Sequence, residues 1–409
     1  MIGTECWKTY KLGDCVNFVS GGTPSKKNPE YWDGNIPWVS CKDMKKAYLY
    51  DSQDHITEKG AANGTRFVSP ETILIVVRGM ILGQHFPVAI AKRKMAFNQD
   101  LKALQCAPNV DPKFLFHWLR GKSYEILGIV DEAAHGTKRL QTDRLQNFPL
   151  HLPPLPIQRK IAGILSAYDD LIENNTRRIE ILEEMARSIY REWFVKFRFP
   201  GHEQVQMVDS DLGLIPEGWE VKKIGEVSLN FDNKRKPLSS LQRAKIPGKY
   251  PYYGAAKIFD YINNYIFEGR YLLVAEDGSV ITKDRRPVLQ LVDEKFWVNN
   301  HTHVIQGKEP ISTNYLYLFM SDLDISGYIT GAAQPKINQT NLNRIPIIVP
   351  RQIVLKQFNA IIDSLLIQVK NLKLKNDNLR KTRDLLLPRL ISGEIDVENL
   401  DINTWPIAA

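Results

Sequence analysis

The fold is decided by residues 156–196, PIQRKIAGILSAYDDLIENNTRRIEILEEMARSIYREWFVK. Positions spaced alternately by four and three follow one another along it: Ile161, Leu165, Tyr168, Ile172, Asn175, Ile179, Leu182, Ala186, Ile189 and Trp193. That spacing places them in a single stripe along one helix, as in the seam of a coiled coil. No proline follows Pro156, which suits a first helical turn, so nothing interrupts the helix. At 1.5 Å per residue the helix would be roughly 60 Å long.

A second helix repeats the first. The same ten heptad positions recur 197 residues later as Phe358, Ile362, Leu365, Val369, Leu372, Asn376, Leu379, Arg383, Leu386 and Leu390. Pro388 predicts that this helix kinks or ends there. If the two helices pair antiparallel, Asn175 and Asn376, each near the middle of its helix, would meet in an amide–amide contact that fixes the register. The alternative is that both asparagines are exposed to solvent.

The predicted fold class is α+β. Two repeated mixed α/β domains are separated by two long helices that form an antiparallel coiled coil, with a pseudo-twofold internal repeat. The predicted segments are residues 1–154 (first domain), 155–197 (first helix), 198–211 (linker), 212–350 (second domain), 351–391 (second helix) and 392–409 (C-terminal tail).

The two domains repeat in outline but differ in their loops. The segment from Trp7 to Asp14 matches residues 219–226, and the apolar run 73–77, a predicted buried strand, matches residues 271–275. Asp111-Pro112 predicts the start of a helix that recurs in the second domain. A duplicated framework with unlike loops favours two binding surfaces of different specificity. The alternative is an old duplication whose loops drifted without purpose.

Composition bounds the class of protein. A chain of 409 residues with 43% hydrophobic content suggests two or three folded domains rather than disorder. A formal net charge of +8 points weakly to an anionic partner. Four cysteines without a Cys-x-x-Cys pair predict free thiols rather than a zinc site or disulfides. Because no signal core or apolar run of about 18 residues occurs, we expect a soluble cytoplasmic protein without membrane contact.

Motifs for catalysis, cofactors and metals are missing or weak. Gly121-Lys122-Ser123 lacks the upstream glycine of a phosphate-binding loop, and no strand leads into G-x-G-x-x-G. His301 and His303 are weak metal evidence on their own. Glu276-Asp277-Gly278 with Lys283 could form a nuclease carboxylate cluster, but Asp-Gly is common in turns for conformational reasons. We therefore predict no catalytic, cofactor or metal site; the alternative is a methyltransferase or nuclease with degenerate motifs that acts on DNA alone.

Basic and aromatic residues accumulate in the unlike loops. In the first domain these are Lys26, Lys27, Tyr31, Trp32, Trp38, Lys42, Arg78, Lys92, Arg93, Lys94, Lys138 and Arg139; in the second they are Lys234, Arg235, Lys236, Tyr252, Tyr253, Lys257, Lys283, Arg285, Arg286 and Lys336. Lys and Arg neutralise phosphates, and Arg, Lys, Asn and Gln read base edges. Each alone is more often a solvated charge, but clustering in both copies favours nucleic acid. Gln99 and Gln334 are candidate base readers by side-chain type.

Several motifs closely resemble those of specificity subunits of type I restriction–modification systems. They are Ser20-Gly-Gly-Thr-Pro-Ser25, Tyr31-Trp32, Ile36-Pro-Trp-Val-Ser40, Tyr252-Tyr-Gly-Ala255, Glu276-Asp-Gly-Ser279, Leu150-His-Leu-Pro-Pro154 with Gln158, and Leu387-Pro-Arg-Leu-Ile-Ser-Gly-Glu394. The resemblance covers essentially the whole chain. Residues 350–355 depart from the first copy's 153–158, which alters the second junction only.

The resemblance implies a non-catalytic subunit that reads a bipartite sequence in double-stranded DNA. Residues 1–154 and 212–350 would be target-recognition domains, one per half-site, and the helix pair would set the spacer. Two modification (methyltransferase) subunits would bind S-adenosylmethionine and methylate adenine, and restriction subunits would use ATP and Mg. No cofactor is expected in this chain. A third possibility is a tandem coiled-coil adaptor that binds only protein.

Overall fold

The computed structural model describes residues 7–132, 136–331 and 334–401. The chain divides into two compact units, residues 1–175 with 375–409 (unit 1) and residues 176–374 (unit 2). Both boundaries fall inside the long helices, so each unit contains part of each helix. Among the described residues, no helix is long and apolar enough to cross a membrane.

Unit 1 is a mixed α/β body with two main sheets. Its strands are β1 (Lys8–Lys11), β2 (Val16–Ser20), β3 (Trp32–Val39), β4 (Tyr48–Leu49), β5 (Asp54–Ile56), β6 (Arg66–Val68), β7 (Ile73–Val76), β8 (Val88–Ala91), β9 (Met95–Phe97), β10 (Leu101–Cys106), β11 (Asp131–Glu132), β12 (Lys138–Arg139) and β13 (Pro149–Leu152). Its helices are α1 (Leu12–Cys15), α2 (Glu58–Ala62), α3 (Pro112–Gly121), α4 (Ser123–Leu127), α5 (Thr142–Gln146) and the first part of α6 (Leu155–Tyr190). The sheets have the orders β2-β10-β7-β8-β4 and β5-β3-β9-β6.

The core of unit 1 follows from its apolar runs. All four residues of β7 are fully buried, as expected for a strand covered on both faces. Helix α3 begins as predicted, because Asp111 accepts a hydrogen bond from the Phe114 amide and Pro112 occupies the first turn. The same core continues onto α6 through Ile161 and Leu165.

Unit 2 is built on one six-stranded sheet. Its strands are β14 (Met207–Ser210), β15 (Gly213–Pro216), β16 (Glu220–Lys223), β17 (Ser228–Asn230), β18 (Pro247–Tyr253), β19 (Ile258–Ile262), β20 (Phe267–Ala275), β21 (Leu289–Val298), β22 (Thr302–Gly307) and β23 (Pro346–Val349). Its helices are α7 (Ile224–Val227), α8 (Ser240–Ala244), α9 (Thr313–Asp322), α10 (Gln339–Asn343) and part of α11 (Gln352–Ile391). The sheet order is β17-β22-β20-β21-β18-β19. The predicted linker is not irregular throughout, because β14 pairs with β15 in a hairpin.

The two units share a framework. In unit 1, β1 pairs antiparallel with β13 and β3 pairs parallel with β9; in unit 2, the corresponding pairs are β16 with β23 and β18 with β21. Helices α3 and α9 each have ten residues and a side-chain cap at the N-terminus. The internal repeat predicted from the sequence is therefore present in the backbone of both units.

Within unit 1, α6 and α11 run in opposite directions. The amide nitrogen of Asn175 donates to the amide oxygen of Asn376 at 3.0 Å, so the predicted amide–amide contact is present. Asn376 also donates to the Ile172 carbonyl at 3.2 Å. Asp169, which precedes Asn175 on α6, contacts Arg383, which follows Asn376 on α11. Residues earlier on α6 therefore contact residues later on α11, so the two helices are antiparallel.

Unit 2 contains the other part of the helix pair. Ile179 packs against Val369 and Leu372, and the Trp193 ring lies 5.8 Å from the Phe358 ring. These contacts also run in opposite directions along the two segments. Of the predicted seam residues in the two units, Ile161, Leu165, Ile172, Asn175, Ile179, Phe358, Ile362, Leu365, Val369, Leu372 and Asn376 are buried, and Tyr168, Leu182 and Leu379 are half-buried.

Of the two outcomes predicted at Pro388, a kink or an end of the second helix, the end is wrong. Helix α11 runs through Pro388 to Ile391. A proline inside a helix costs about 3 kcal/mol. The last turn nevertheless places Leu387, Leu390 and Ile391 in the core of unit 1, and burying an aliphatic side chain contributes about 1.5–3 kcal/mol. The burial of this turn therefore offsets the lost backbone hydrogen bond.

Cysteine chemistry agrees with the sequence. Cys15, Cys41 and Cys106 are free thiols, as predicted, and Cys6 lies outside the described residues. Burial raises the pKa of the Cys41 thiol to about 11, with the nearby Asp100 carboxylate acting in the same direction. A thiol with a raised pKa is a poor nucleophile at neutral pH.

Candidate nucleic-acid interface

In unit 1, the predicted DNA-binding loops converge on a tight turn, residues 98–100, between β9 and β10. Asn98 is buried, and its side-chain oxygen accepts a hydrogen bond from the Asp100 amide at 3.1 Å. The Asp100 carbonyl in turn accepts from the Val77 and Arg78 amides at 2.9 and 3.3 Å. The turn is therefore fixed to the end of β7, and Gln99 at its centre remains exposed.

The loop that carries Lys26 and Lys27 begins against this turn. The Gly22 amide donates to the Phe97 carbonyl at 2.9 Å, and the Thr23 hydroxyl donates to the Gln99 side-chain oxygen at 2.5 Å. A β-carbon on Gly22 would collide with the Gly64 carbonyl oxygen, so only glycine permits this close approach. Lys26 and Lys27 are exposed on the loop that follows.

The predicted aromatic residues of this loop support it from inside. The Trp32 indole N–H donates to the Ser25 carbonyl at 3.2 Å, and the Trp38 indole N–H donates to the Gly22 carbonyl at 3.0 Å. The two rings meet edge to face, with centroids 5.1 Å apart. Trp38 is buried, whereas Trp32 and Tyr31 are half-buried. Both tryptophans therefore shape the loop, because their only hydrogen-bonding groups are already engaged with its backbone.

Some predicted cations lie beside the turn and others do not. The backbones of Arg78 and Arg139 form an antiparallel β-bridge, and the Gly79 amide donates to the Lys138 carbonyl. The thiol of Cys41, the residue before Lys42, donates to the Arg78 carbonyl. These contacts bring Lys42, Arg78, Lys138 and Arg139 close together in the fold. Lys138 itself is paired with Glu132 at 2.6 Å.

The cations of the β8–β9 connection belong to a different part of unit 1. Lys92 pairs with Glu71 at 2.9 Å and lies over the Tyr48 ring. Lys94 lies over the Phe67 ring, and Arg93 is exposed. Among the described residues, the side-chain contacts of Lys92 and Lys94 are therefore with Glu71, Tyr48 and Phe67 rather than with the turn.

Unit 2 has a corresponding turn, residues 299–301, between β21 and β22. The buried Asn299 side chain accepts from the His301 amide at 3.0 Å. The His301 carbonyl accepts from the Glu276 amide at 2.9 Å, and the Asn300 carbonyl accepts from Arg235 at 3.3 Å. Asn300 itself is exposed. This turn was not predicted, although Asn98 and Asn299 are 201 residues apart, the same spacing as between α3 and α9, which could have indicated it.

The cations of unit 2 are more engaged than the sequence suggested. Arg235 pairs with Glu276 at 2.7 Å, and its side chain is only 15% exposed. Arg285 pairs with Asp324 at 3.1 Å, and Arg286 lies 3.9 Å from Asp322. The remaining predicted cations of this unit, Lys234, Lys236, Lys257, Lys283 and Lys336, are exposed.

Tyr252 and Tyr253 are a correction to the predicted interface. Tyr252 is 1% and Tyr253 8% exposed, so neither ring is available to stack on a base. The backbone amide of Leu238 donates to the Tyr252 hydroxyl, and the Tyr253 hydroxyl donates to Glu294 at 2.7 Å. Tyr253 packs in an apolar cluster with Phe267 and Phe296, and the Arg243 guanidinium lies over the Tyr252 ring, so these contacts cover both side chains.

Asp232, Glu276 and His303 form a group of the size that could hold a metal ion. Both nitrogens of His303 are already engaged: Nδ1 lies 2.5 Å from Asp232, and Nε2 lies 2.8 Å from the Ile337 carbonyl. Arg235 also lies against both carboxylates. Burial acts to raise the pKa of Asp232, but the His303 hydrogen bond and charge outweigh it and hold that pKa below its ordinary value. A guanidinium and a fully bonded imidazole fit an internal ion-pair network rather than a metal site.

Comparison with known proteins identifies the family. The family model for the type I restriction modification DNA specificity domain matches residues 4–184 and 216–379. The chain belongs to this family. Its members are specificity subunits, the non-catalytic component of type I restriction–modification systems, and the chain supplies DNA sequence specificity in such a complex. This excludes the alternative of a methyltransferase or nuclease acting alone.

Individual relatives agree along the whole length. The chain is 29% identical over 412 residues to the type I restriction enzyme MjaIX specificity subunit of Methanocaldococcus jannaschii, covering 96% of this chain and 94% of that protein. It is 33% identical over 205 residues to the EcoR124I/EcoR124II specificity subunit of Escherichia coli, about half of each protein at 49% and 50%. The crystal structure of a type I restriction–modification S subunit from M. genitalium shares the fold, with a TM-score of 0.62 and 15% identity over 95% of this chain and 97% of that one.

Proposed function

We propose that this specificity subunit reads a two-part sequence in double-stranded DNA, one half-site with each domain. Residues 1–154 and 212–350 would be the target-recognition domains, 155–197 and 351–391 the helices, 198–211 the linker and 392–409 a tail. The observation that carries this proposal is a repeated framework that presents unlike basic loops around the turns 98–100 and 299–301. A shared framework with different surface residues is suited to reading two different half-sites.

The two long helices would form an antiparallel coiled coil with pseudo-twofold symmetry. Support comes from their opposite directions in each unit and from the ten repeated heptad positions. Helix α6 has 36 residues, which corresponds to roughly 54 Å at 1.5 Å per residue. One duplex turn is ~35 Å, so a helix of this length could set a spacer of one to two turns between half-sites.

Catalysis would come from partners. Two modification subunits would bring S-adenosylmethionine and methylate adenine, and restriction subunits would bring ATP and Mg, all acting on DNA in the cytoplasm. Support for these partners comes from the family, whose members are specificity subunits of type I restriction–modification systems.

A domain exchange tests the proposal. The full chain is expressed with its modification subunits, and methylated sites are mapped across the genome. Replacing residues 212–350 with the corresponding domain of a relative should change one half of a split motif and leave the other half unchanged. The reciprocal exchange of residues 1–154 is the matched control and should change the other half. A motif that is continuous, or that changes throughout after either exchange, would contradict the proposal.

The spacer role has its own test. Inserting seven residues into α6, which preserves the heptad phase, should lengthen the spacer or impair assembly while both half-sites keep their bases. The same methylation map measures the outcome. An altered half-site with an unchanged spacer would show that the helix does not act as the ruler.

A further inference from the structure

The turns 98–100 and 299–301 have the same construction. In each, a buried asparagine, Asn98 or Asn299, bonds the backbone amide two residues ahead, at 3.1 and 3.0 Å. The amide of that asparagine donates to the end of a parallel neighbouring strand: Asn98 to the Val39 carbonyl at 2.9 Å, and Asn299 to the Tyr253 carbonyl at 3.0 Å. Each turn is therefore fixed both by its own side chain and by a neighbouring strand.

A third contact repeats as well. The carbonyl of the last turn residue, Asp100 or His301, accepts from the backbone at the end of the neighbouring strand, at 2.9 Å in both units. After these bonds, the side chain at the centre of each turn has no structural task in the turn itself. The centre residue is exposed in both units, and in both it carries a side-chain amide: Gln99 in unit 1 and Asn300 in unit 2.

An amide at such a position can read a base. Asn and Gln bond adenine bidentately in the major groove, by donating to N7 and accepting from the N6 amino group. The Gln99 oxygen receives the Thr23 hydroxyl at 2.5 Å, which sets the orientation of the amide. That oxygen retains a second lone pair, and the amide nitrogen retains its donors. The exposed end of Gln99 thus offers one acceptor and one donor side by side.

Two exposed cations, Arg78 and Arg139, lie beside the turn in unit 1. Arg78 follows directly on the Val77 amide that bonds the turn, and Arg139 forms a backbone β-bridge with Arg78. Lys138 is paired with Glu132 at 2.6 Å, and Asp100 belongs to the turn itself. Cations that hold the phosphates while an amide meets a base edge are the usual division of labour in DNA recognition.

We propose that Gln99 and Asn300 are specificity-determining residues, each of which reads one adenine–thymine base pair in the half-site of its own domain. Asn98 and Asn299 are positioning residues that hold the two turns. This inference rests on the proposed function and deepens it, because it assigns one base pair of each half-site to one side chain.

The test uses the full chain assembled with its modification subunits. The methylation map of the wild type first gives the two half-sites. Gln99→Ala should then relax one adenine–thymine position in one half-site and leave the other half-site unchanged, and Asn300→Ala should do the reverse. Gln146→Ala and Asn343→Ala are matched controls, because these amides lie at repeat-equivalent positions on α5 and α10, beside Gly13 and Gly225. Both controls should keep the wild-type motif.

Competition binding gives a readout if a variant no longer methylates. Duplexes with each half-site position substituted in turn compete with the original duplex for the complex. The wild type should discriminate against the substituted adenine–thymine pair by about 5- to 150-fold, the range for one bidentate contact, and Gln99→Ala should lose that discrimination at one position only. A wild-type split motif with discrimination unchanged in both alanine variants would overturn the turn assignment alone. A wild type that methylates no split motif would overturn the proposed function and this inference with it.

Discussion

Replacing Asp169 with asparagine should destabilise unit 1 severely. Asp169 accepts from Arg120 of α3 and from Arg383 of α11, both at 2.5 Å, and its side chain is 5% exposed. One carboxylate on α6 therefore joins α3 and α11. Breaking a buried ion pair by removing one partner costs about 3–5 kcal/mol. Because Arg120 and Arg383 keep 21% and 13% exposure, some hydration remains available, and we expect a loss near the lower end, about 3 kcal/mol.

Hydrogen exchange of the full chain, resolved by peptide, measures this loss. Asp169→Asn should speed exchange in α3 and in the last turns of α11. Glu183→Gln is the matched control, because it removes another carboxylate of α6, one that pairs with Lys373. The Glu183 and Lys373 side chains are 27% and 57% exposed, so the loss of this pair should lower the free energy of unfolding by less than about 1 kcal/mol. Equal exchange in the two variants would refute the reasoning.

The second copy supplies a rescue and pH supplies a further check. The positions 197 residues from Asp169 and Arg383 are Leu366 and Ala186, both buried in unit 2. Arg120 corresponds to Ser321, at the 201-residue spacing of α3 and α9. Asp169→Leu combined with Arg383→Ala and Arg120→Ser, which removes all three charges, should therefore be more stable than Asp169→Asn.

Burial acts to raise the pKa of Asp169, but the charges of Arg120, His117 and Arg383 outweigh it and lower that pKa below 3.8. The stabilisation is thus complete above pH 3.8 and is lost as pH falls through the lower folded value.

Three further outcomes are expected. Burial lowers the pKa of His117 to about 3, so below pH 6.5 the unfolded chain binds a proton that the folded chain does not. The free energy of unfolding should therefore fall by about 2 kcal/mol at pH 5, and His117→Gln should remove that part of its pH dependence in urea unfolding. Asn376→Ala should lower the free energy of unfolding, measured by thermal unfolding, by about 1–3 kcal/mol, because the Asn175 amide loses its partner. Leucine at both positions should restore stability, but light scattering should then detect mixed oligomers. Arg78→Gln should reduce the salt slope of DNA binding by about 0.9 without changing the motif, and Lys92→Gln, paired with Glu71 away from the turn, should leave the slope unchanged.

Local periodicity explains what the sequence could predict. The heptad stripe, the repeat at 197 residues and the Asp111-Pro112 helix start each depend on residues close together in the chain. The contact between Asn175 and Asn376 could be predicted because each lies near the middle of its helix, where an antiparallel pair brings the two side chains together.

Non-local pairing explains what it could not predict. Tyr253 is buried because it packs against Phe296 and donates to Glu294, both on β21, and no local pattern indicates that β21, some forty residues later, is a neighbour. The same holds for Arg235, whose partners Glu276 and the Asn300 carbonyl are remote in sequence. Residue type marks these side chains as candidates for DNA contact, but only the tertiary packing decides which of them are exposed.

In each turn, the bonds that hold the backbone are separate from the exposed side chain at the central position, Gln99 or Asn300, and this separation affects how specificity can change. The bonds that hold the two turns come from the backbone and from the buried Asn98 and Asn299, and none uses the backbone of Gln99. Loss of one bidentate base contact changes discrimination by about 1–3 kcal/mol, whereas loss of the exposed hydrogen bond from Thr23 to the Gln99 side chain costs about 0.5–1.5 kcal/mol. A substitution of Gln99 therefore leaves the bonds that hold the turn intact and changes recognition at least as much as folding. The reverse holds for Asn98, where loss of the side-chain bond would leave a buried amide unpaired and displace every group that the turn presents.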